Sequence, residues 1–163
     1  MKVIGIDPGL AATGIGIIEG TKLKVNGYSF GAIQTSKSTP LANRLDHIYS
    51  KLLLILNDEK PDLMVVEDVF SLKKNPQSGI TLGKVTGVVL LAGFRSDMPV
   101  MEVAVRETKK VLTGNGTATK EQLEIAVRHT LNRSSAIKPY HASDALALAL
   151  IGLFRHERRM RSG

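Results

Sequence analysis

The sequence predicts an α/β fold: a five-stranded mixed sheet, an antiparallel meander continued by parallel strands, with helices on both faces. Two observations carry this. Three β-branched, apolar stretches at residues 2–7, 12–19 and 22–33 are joined only by Pro8-Gly9 and Gly20-Thr21, connections short enough to demand antiparallel pairing. After them, helical and strand-like patterns alternate, which is the order of a sheet covered on both faces. The 163 residues suffice for one domain with a proper core.

The first strand, Val3-Ile4-Gly5-Ile6-Asp7, ends in a carboxylate. The second carries Gly14 and Gly16, which alternation places on one face, leaving a strip bare of side chains. Such a strip admits another backbone, for example a phosphate chain. Leu41, Leu45, Ile48, Leu52, Ile55 and Leu56 recur at helical spacing and define a helix over about residues 40–58, stopped before Pro61. Leu63 to Val66 is a short buried strand that delivers Glu67 and Asp68 at its end.

A loop with Phe70, Lys73, Lys74 and Pro76 leads to a helix over about residues 77–96. Gly79, Gly83 and Gly87 fall four apart along one of its faces. Each costs the helix ~1 kcal/mol relative to alanine, so something must come close there. That something is either the sheet or a second subunit. Val100 to Ala104 is the fifth strand, followed by a short helix through Arg106, Lys109 and Lys110. Gly114-Asn115-Gly116 makes a turn, and Thr119 caps the next helix with Gln122 in capping-box position. A polar connector, Asn132 to Pro139, precedes a last helix over about 141–157. Residues 1–157 therefore read as one domain, and the basic tail 158–163 is expected to be disordered.

The charge balance is 22 Lys and Arg against 15 Asp and Glu, or +7. It is uneven: residues 1–80 hold 9 against 8, and residues 81–163 hold 13 against 7. A basic half implies an anionic partner, and nucleic acid fits better than a membrane because no long basic amphipathic helix is present. There is no cysteine, which excludes disulfides and thiolate metal sites. No secretory signal precedes Asp7, and the longest unbroken apolar-plus-glycine run, Ala145 to Phe154, is short of the ~18 residues a bilayer requires. A soluble, cytoplasmic protein is expected.

Three segments offer acid–base or metal chemistry. Asp7 and Glu67 end central strands, where ligands of such sheets gather. Asp144 sits immediately before Ala145-Leu146-Ala147-Leu148-Ala149-Leu150-Ile151, a run apolar on all sides that must be buried. A buried carboxylate stays charged only beside a cation, either a basic side chain or a metal. His141 lies three residues earlier on the same helix face, where the positive helix terminus favours a neutral imidazole. Hard oxygen ligands with at most one imidazole suit Mg²⁺ or Mn²⁺ better than zinc. Two such ions can activate water and stabilise the leaving oxygen in phosphodiester hydrolysis.

Four blocks in this order resemble one known family along essentially the whole chain. They are Ile6-Asp7-Pro8-Gly9 with Thr13-Gly14, Val66-Glu67-Asp68-Val69-Phe70, the Gly-x-Gly turn with Lys120, and His141-Ala142-Ser143-Asp144-Ala145-Leu146-Ala147. They look like RuvC-type Holliday junction resolvases. The resemblance implies a ribonuclease H-like fold, a homodimer, and Mg²⁺-dependent symmetric cutting of four-way DNA junctions in recombination and repair. It also suggests a branch-migration helicase as a partner. By position it makes Asp7, Glu67, His141 and Asp144 the metal-binding catalytic set, with His141 a ligand, a general base or both. It makes Phe70 the aromatic near the opened crossover, and Lys109 and Lys120 basic residues beside the DNA backbone. Read from the residues alone, Phe70 beside Lys73 and Lys74 is either a strand-stacking site or a hydrophobe covering the sheet edge. Lys109 and Lys120 alone are solvated charges.

Two other readings compete. The Asp-Pro-Gly and Thr-Gly opening also resembles the phosphate-binding hairpin of actin-like ATPases and sugar kinases, which need two domains where this chain has one. A non-catalytic nucleic-acid-binding module of the same fold is the second, and the full Asp7, Glu67 and Asp144 set argues against it.

Overall fold

The computed structural model describes residues 1–68 and 76–160. Phe70, Lys73, Lys74 and the last three residues lie outside the described residues. The chain runs β1 (Lys2–Asp7), β2 (Ala12–Thr21), β3 (Lys24–Gln34), α1 (Leu41–Glu59), β4 (Leu63–Asp68), α2 (Pro76–Arg95), β5 (Val100–Ala104), α3 (Val105–Thr113), α4 (Lys120–Thr130) and α5 (Tyr140–Met160). The sheet order is β3-β2-β1-β4-β5. β1–β2 and β2–β3 are antiparallel, while β1–β4 and β4–β5 are parallel, as the connection lengths require.

Two expected boundaries move. The β2–β3 connection falls at Lys22-Leu23 rather than Gly20-Thr21, because Gly20 belongs to the ladder at a register shift after Glu19. An ideal Cβ at Gly20 would stand 2.3 Å from the Lys24 carbonyl oxygen, so glycine marks a bulge here and not the turn. The helical backbone of α5 continues to Met160, three residues past the expected end.

Alternation along the strands splits the core into two. Val3, Ile18, Leu63, Val65 and Val103 pack with Leu123 and Val127 of α4 and the apolar run of α5. Ile4, Ile6, Ile15, Ile17, Met64 and Val66 pack with Ile48, Leu52 and Leu56 of α1 and Val85, Val89 and Ala92 of α2. Asp7 follows Val3 and Gly5 at two-residue steps, and Glu67 follows Leu63 and Val65 in the same way. Both carboxylates therefore emerge on the α5 side of adjacent parallel strands.

The glycine strip finds its occupant within the chain. An ideal Cβ on Gly5 would stand 1.9 Å from the Ala145 carbonyl oxygen, one on Gly14 2.0 Å from that of His141, and one on Gly16 2.4 Å from the Leu146 backbone nitrogen. The bare face thus admits the backbone of α5, not a phosphate chain. Contact with helix backbone cannot be relieved by a rotamer change, so alanine at any of the three would push α5 off the sheet, an overpacking cost of ~1–3 kcal/mol or more.

α2 behaves differently. Residues Gln77–Arg95 are long and apolar enough by length and composition to cross a membrane. Val85, Val89 and Ala92 are nevertheless buried against α1 and the sheet. Cβ atoms on Gly83 and Gly87 would meet nothing within 4 Å, whereas Gly93 lies against Met64 and Val100. Among the described residues, Gly83 and Gly87 therefore do not pack on the sheet.

Candidate active site

Asp7 is 6% exposed at the end of β1, and the loop behind it is fixed locally. Thr13, fully buried, donates its hydroxyl to the Gly9 carbonyl at 2.8 Å. α5 brings its first turn over the same strand end because Gly14 and Gly16 let it approach. His141 Nδ1 consequently lies 2.6 Å from Asp7 Oδ2. Glu67 is hydrogen-bonded to Asp7 and feels the charges of Asp7 and Asp144. The structure brings the three carboxylates and the imidazole into one cluster.

Concentrating acids in a half-buried cleft penalises their charge. The Glu67 carboxyl is pushed up to about 9, first by burial and then by the hydrogen bond and charge of Asp7, with Asp144 adding to the rise. Glu67 therefore carries a proton at neutral pH. The Asp144 carboxyl is raised as well, by burial first and Asp7 second, against the opposing pull of Lys120. The helix terminus is not the only influence on the His141 ring. The hydrogen bond to Asp7 raises the His141 pKa more than partial burial lowers it, so direct contact with a carboxylate outweighs the helix terminus.

Lys120 Nζ sits 3.5 Å from Asp144 Oδ2. This residue begins α4 directly after a complete capping box, in which Thr119 accepts from the Gln122 amide and Gln122 accepts from that of Thr119. The cap fixes where the helix starts and hence where Lys120 projects. Its charge lowers the pKa of both Glu67 and Asp144, so it belongs to the acid cluster itself. Lys109 lies half-buried on α3 and forms no ion pair with the cluster among the described residues.

One supporting residue escaped the sequence reading. Glu124, buried in α4, accepts from the Ile137 amide at 2.8 Å and pairs with Arg128 at 2.8 Å. It thereby ties the Asn132–Pro139 connector to α4 and sets where α5 begins. A glutamate on an otherwise amphipathic helix carries no local signal of this, since its partner is a backbone amide thirteen residues on.

Among the described residues, no three of these side chains stand as a ready metal cage. Asp7 pairs with His141 and Asp144 with Lys120. The donor set still suits a hard dication. Burial first, and then the neighbouring Asp7 and Asp144, disfavour the charged form of Glu67, and a cation among these carboxylates would favour that charged form and displace the proton.

A mixed sheet in this order, with acids at the ends of β1 and β4 and the start of the helix laid across them, defines the ribonuclease H-like class. Comparison with known proteins narrows the class. Residues 3–152 match the family model described as Crossover junction endodeoxyribonuclease RuvC. A protein of that name from Carboxydothermus hydrogenoformans is 41% identical over 157 residues, 95% of this chain and 97% of that one. One from Thermotoga petrophila is 38% identical over 149 residues, 91% of this chain and 90% of that one. Among solved structures, Thermus thermophilus RuvC in complex with Holliday junction substrate is 32% identical, with a TM-score of 0.88 over 99% of this chain and 97% of that one. The chain belongs to the RuvC family of crossover junction endodeoxyribonucleases.

Proposed function

We propose that this protein is a structure-specific endodeoxyribonuclease that resolves four-way DNA junctions by paired, symmetric, metal-dependent phosphodiester hydrolysis. The observation that carries this is the gathering of Asp7, Glu67 and Asp144 in one half-buried cluster, where burial first and the neighbouring acids second push the Glu67 carboxyl up to about 9. No structural role needs three acids on one spot, whereas a dication site does. The family relatives and a Thermus RuvC bound to a Holliday junction support the substrate.

In this reading Asp7, Glu67 and Asp144 hold Mg²⁺, two ions per site, with Mn²⁺ able to substitute. Bound there, the metal supplies activation of water and stabilisation of the departing oxygen. His141 serves as a ligand, as the acceptor of the attacking water's proton, or as both, and Asp7 orients its ring through Nδ1. Water adds to phosphorus as the bond to the 3′ oxygen breaks, leaving a 5′-phosphate and a 3′-hydroxyl. Lys120 favours the charged form of Asp144, against burial and the charge of Asp7.

The remaining assignments are part of the same proposal. Phe70, Lys73 and Lys74 take the displaced strand, with Phe70 stacking on a base beside the crossover. Lys109 and Lys120 lie close to the DNA backbone. Two copies pair through the outer face of α2, where Ile80 is 61%, Leu91 48% and Phe94 75% exposed. The protein works in the cytoplasm, with a branch-migration helicase as partner.

Purified protein mixed with labelled four-way junctions, with and without Mg²⁺, tests the proposal. Paired nicks that ligase can seal, appearing only with the metal, are expected. Asp7→Asn should bind junctions and cut them at least ~10²-fold more slowly. Cutting by Asp7→Asn at the wild-type rate would remove Asp7 from the site.

A further inference from the structure

Two strands away from Asp7, a cavity of about 270 Å³ opens at the junction of β3 and α1, with Thr35, Ser36, Thr39, Asn43, Arg44 and His47 in its wall. It lies at the same end of the sheet as the acid cluster, because β1 and β3 both run antiparallel to β2 and so end together, but beside α1, which packs on the face opposite α5. Its wall holds two basic side chains, hydroxyls and amides, and no carboxylate. At this size it is smaller than the roughly 300–1,000 Å³ that accommodates whole small molecules. It suits one charged group.

Arg44 is held in a fixed pose. Its Nε donates to Thr35 Oγ1 at 2.7 Å, and that hydroxyl donates to the Leu10 carbonyl at 2.5 Å. The Thr35 amide donates to the Ala11 carbonyl at 3.0 Å. One nitrogen of the guanidinium is thus used to anchor it to the loop that follows Asp7. Its two Nη groups have no partner among the described residues, and neither Arg44 nor His47 takes part in an ion pair there. A planar fork pinned at one nitrogen presents the other two to an oxyanion. Pro40 gives α1 no side-chain cap, so the helix's first amides add donors between Thr39 and Asn43.

We propose that this cavity is a phosphate subsite. It takes one backbone phosphate of the DNA strand outside the scissile position, with Arg44 as its anchor and Ser36 and Thr39 as hydroxyl donors. The proposal rests on the nuclease reading above. An occupied subsite sets the register of the strand against Asp7, since the same Thr35 clamp fixes both Arg44 and the loop through Leu10.

The test measures binding of four-way junctions across a salt series, each variant carrying Asp7→Asn so that nothing is cut. Arg44→Gln should weaken binding about 10-fold and lower the slope of log affinity against log salt by ~1. Arg44→Lys should keep the slope. Thr35→Val removes the clamp but not the charge and should also keep it. Junctions with a single neutral methylphosphonate complete the test. One linkage outside the cut site should cost the Arg44-containing protein about 10-fold and cost Arg44→Gln nothing. An unchanged slope in Arg44→Gln, a lowered slope in Thr35→Val, or the absence of any such linkage overturns the proposal. Inorganic phosphate is the second arm. If it shifts the Arg44 Nε resonance while no neutral linkage matters, the cavity takes free phosphate and the DNA proposal falls. A wild-type chain that ignored junctions altogether would sink the nuclease reading, whereas junction binding with a wild-type slope in Arg44→Gln sinks this proposal alone.

Discussion

His141 Nδ1 and Asp7 Oδ2 stand 2.6 Å apart, joining the first turn of α5 to the end of β1 across 134 residues of sequence. The contact orients the imidazole by one nitrogen and leaves Nε2 for other work. It also ties the ring's proton affinity to the charge state of its neighbours.

Replacing His141 by alanine should therefore slow junction cutting by ~10²–10⁴-fold, with binding little changed. His141→Asp should keep activity, because a carboxylate also ligates metal and accepts protons. A further negative charge beside Asp7 makes Glu67 harder to ionise, so this variant should need more Mg²⁺ at neutral pH than wild type. Single-turnover cleavage over a metal titration measures both. Alanine as active as histidine would make position 141 structural.

Glu67→Gln separates catalysis from stability. The Glu67 carboxyl is raised from 4.5 to about 9 in the folded chain. The sign follows from proton counting: between those values the unfolded chain has released a proton that the folded chain keeps. The stabilising contribution is full below pH 4.5 and is lost as pH rises through about 9. The raised His141 pKa acts in the same direction, present below its ordinary value and lost as pH rises through the folded one. Metal-free wild type should thus lose melting temperature from weakly acid to alkaline pH. Glu67→Gln should flatten most of that slope, melt several degrees higher at pH 8 and cut nothing. Thermal melts in chelator across pH decide it, and a parallel slope in wild type and variant would refute the protonated Glu67.

Lys120 was legible from its residue pattern as a basic side chain on a helix, and from the family resemblance as a DNA contact, but not as a partner of the acids. Its place beside Asp144 depends on how α4 crosses α5, which no local pattern encodes. Asp7 and Glu67 were legible because each ends a short apolar strand, and strand parity then puts them on one face. Asp144 was legible because an acid heading a wholly apolar helix needs a partner. The glycine strip announced a close approach without naming the visitor: at Gly5, Gly14 and Gly16 it is α5, a contact between segments more than a hundred residues apart. Glu124 and the Arg44–Thr35 clamp stayed hidden for the same reason, since each bonds to backbone far along the chain or around a turn.

Removing the Lys120 charge should raise the pKa of Glu67 and Asp144, whose carboxyls it now pulls down. Lys120→Met should accordingly shift the rise of cleavage rate with pH to more alkaline values by roughly one unit, a change of ~1.4 kcal/mol. Added Mg²⁺ should partly restore the profile. A lysine that only touched DNA phosphate would lower the salt slope of binding by ~1 and leave the pH profile in place. Comparing the two readouts in one variant separates the roles.

The last expectation concerns α2. Ile80, Gly83, Gly87, Leu91 and Phe94 fall on one face at spacings of three and four residues, and the exposure of the three large side chains places that face outward. With no Cβ contact within 4 Å at Gly83 or Gly87, the glycines lower a ridge that nothing among the described residues fills. A second α2 brought against this face would bury Leu91 and Phe94 and explain why poor helix formers occupy an exposed helix interior. Leu91→Glu with Phe94→Glu should then convert a dimer to a monomer, weakening association by at least ~100-fold, as expected for two central anchors. Both side chains are exposed within the protomer, so the melting temperature of the monomer should change little. Sedimentation equilibrium gives the association constant. The monomeric variant should still nick junctions, but the two cuts should lose their pairing and the products should no longer be sealed by ligase. Equal association in wild type and variant would place the dimer contact elsewhere and leave the outer face of α2 to another partner.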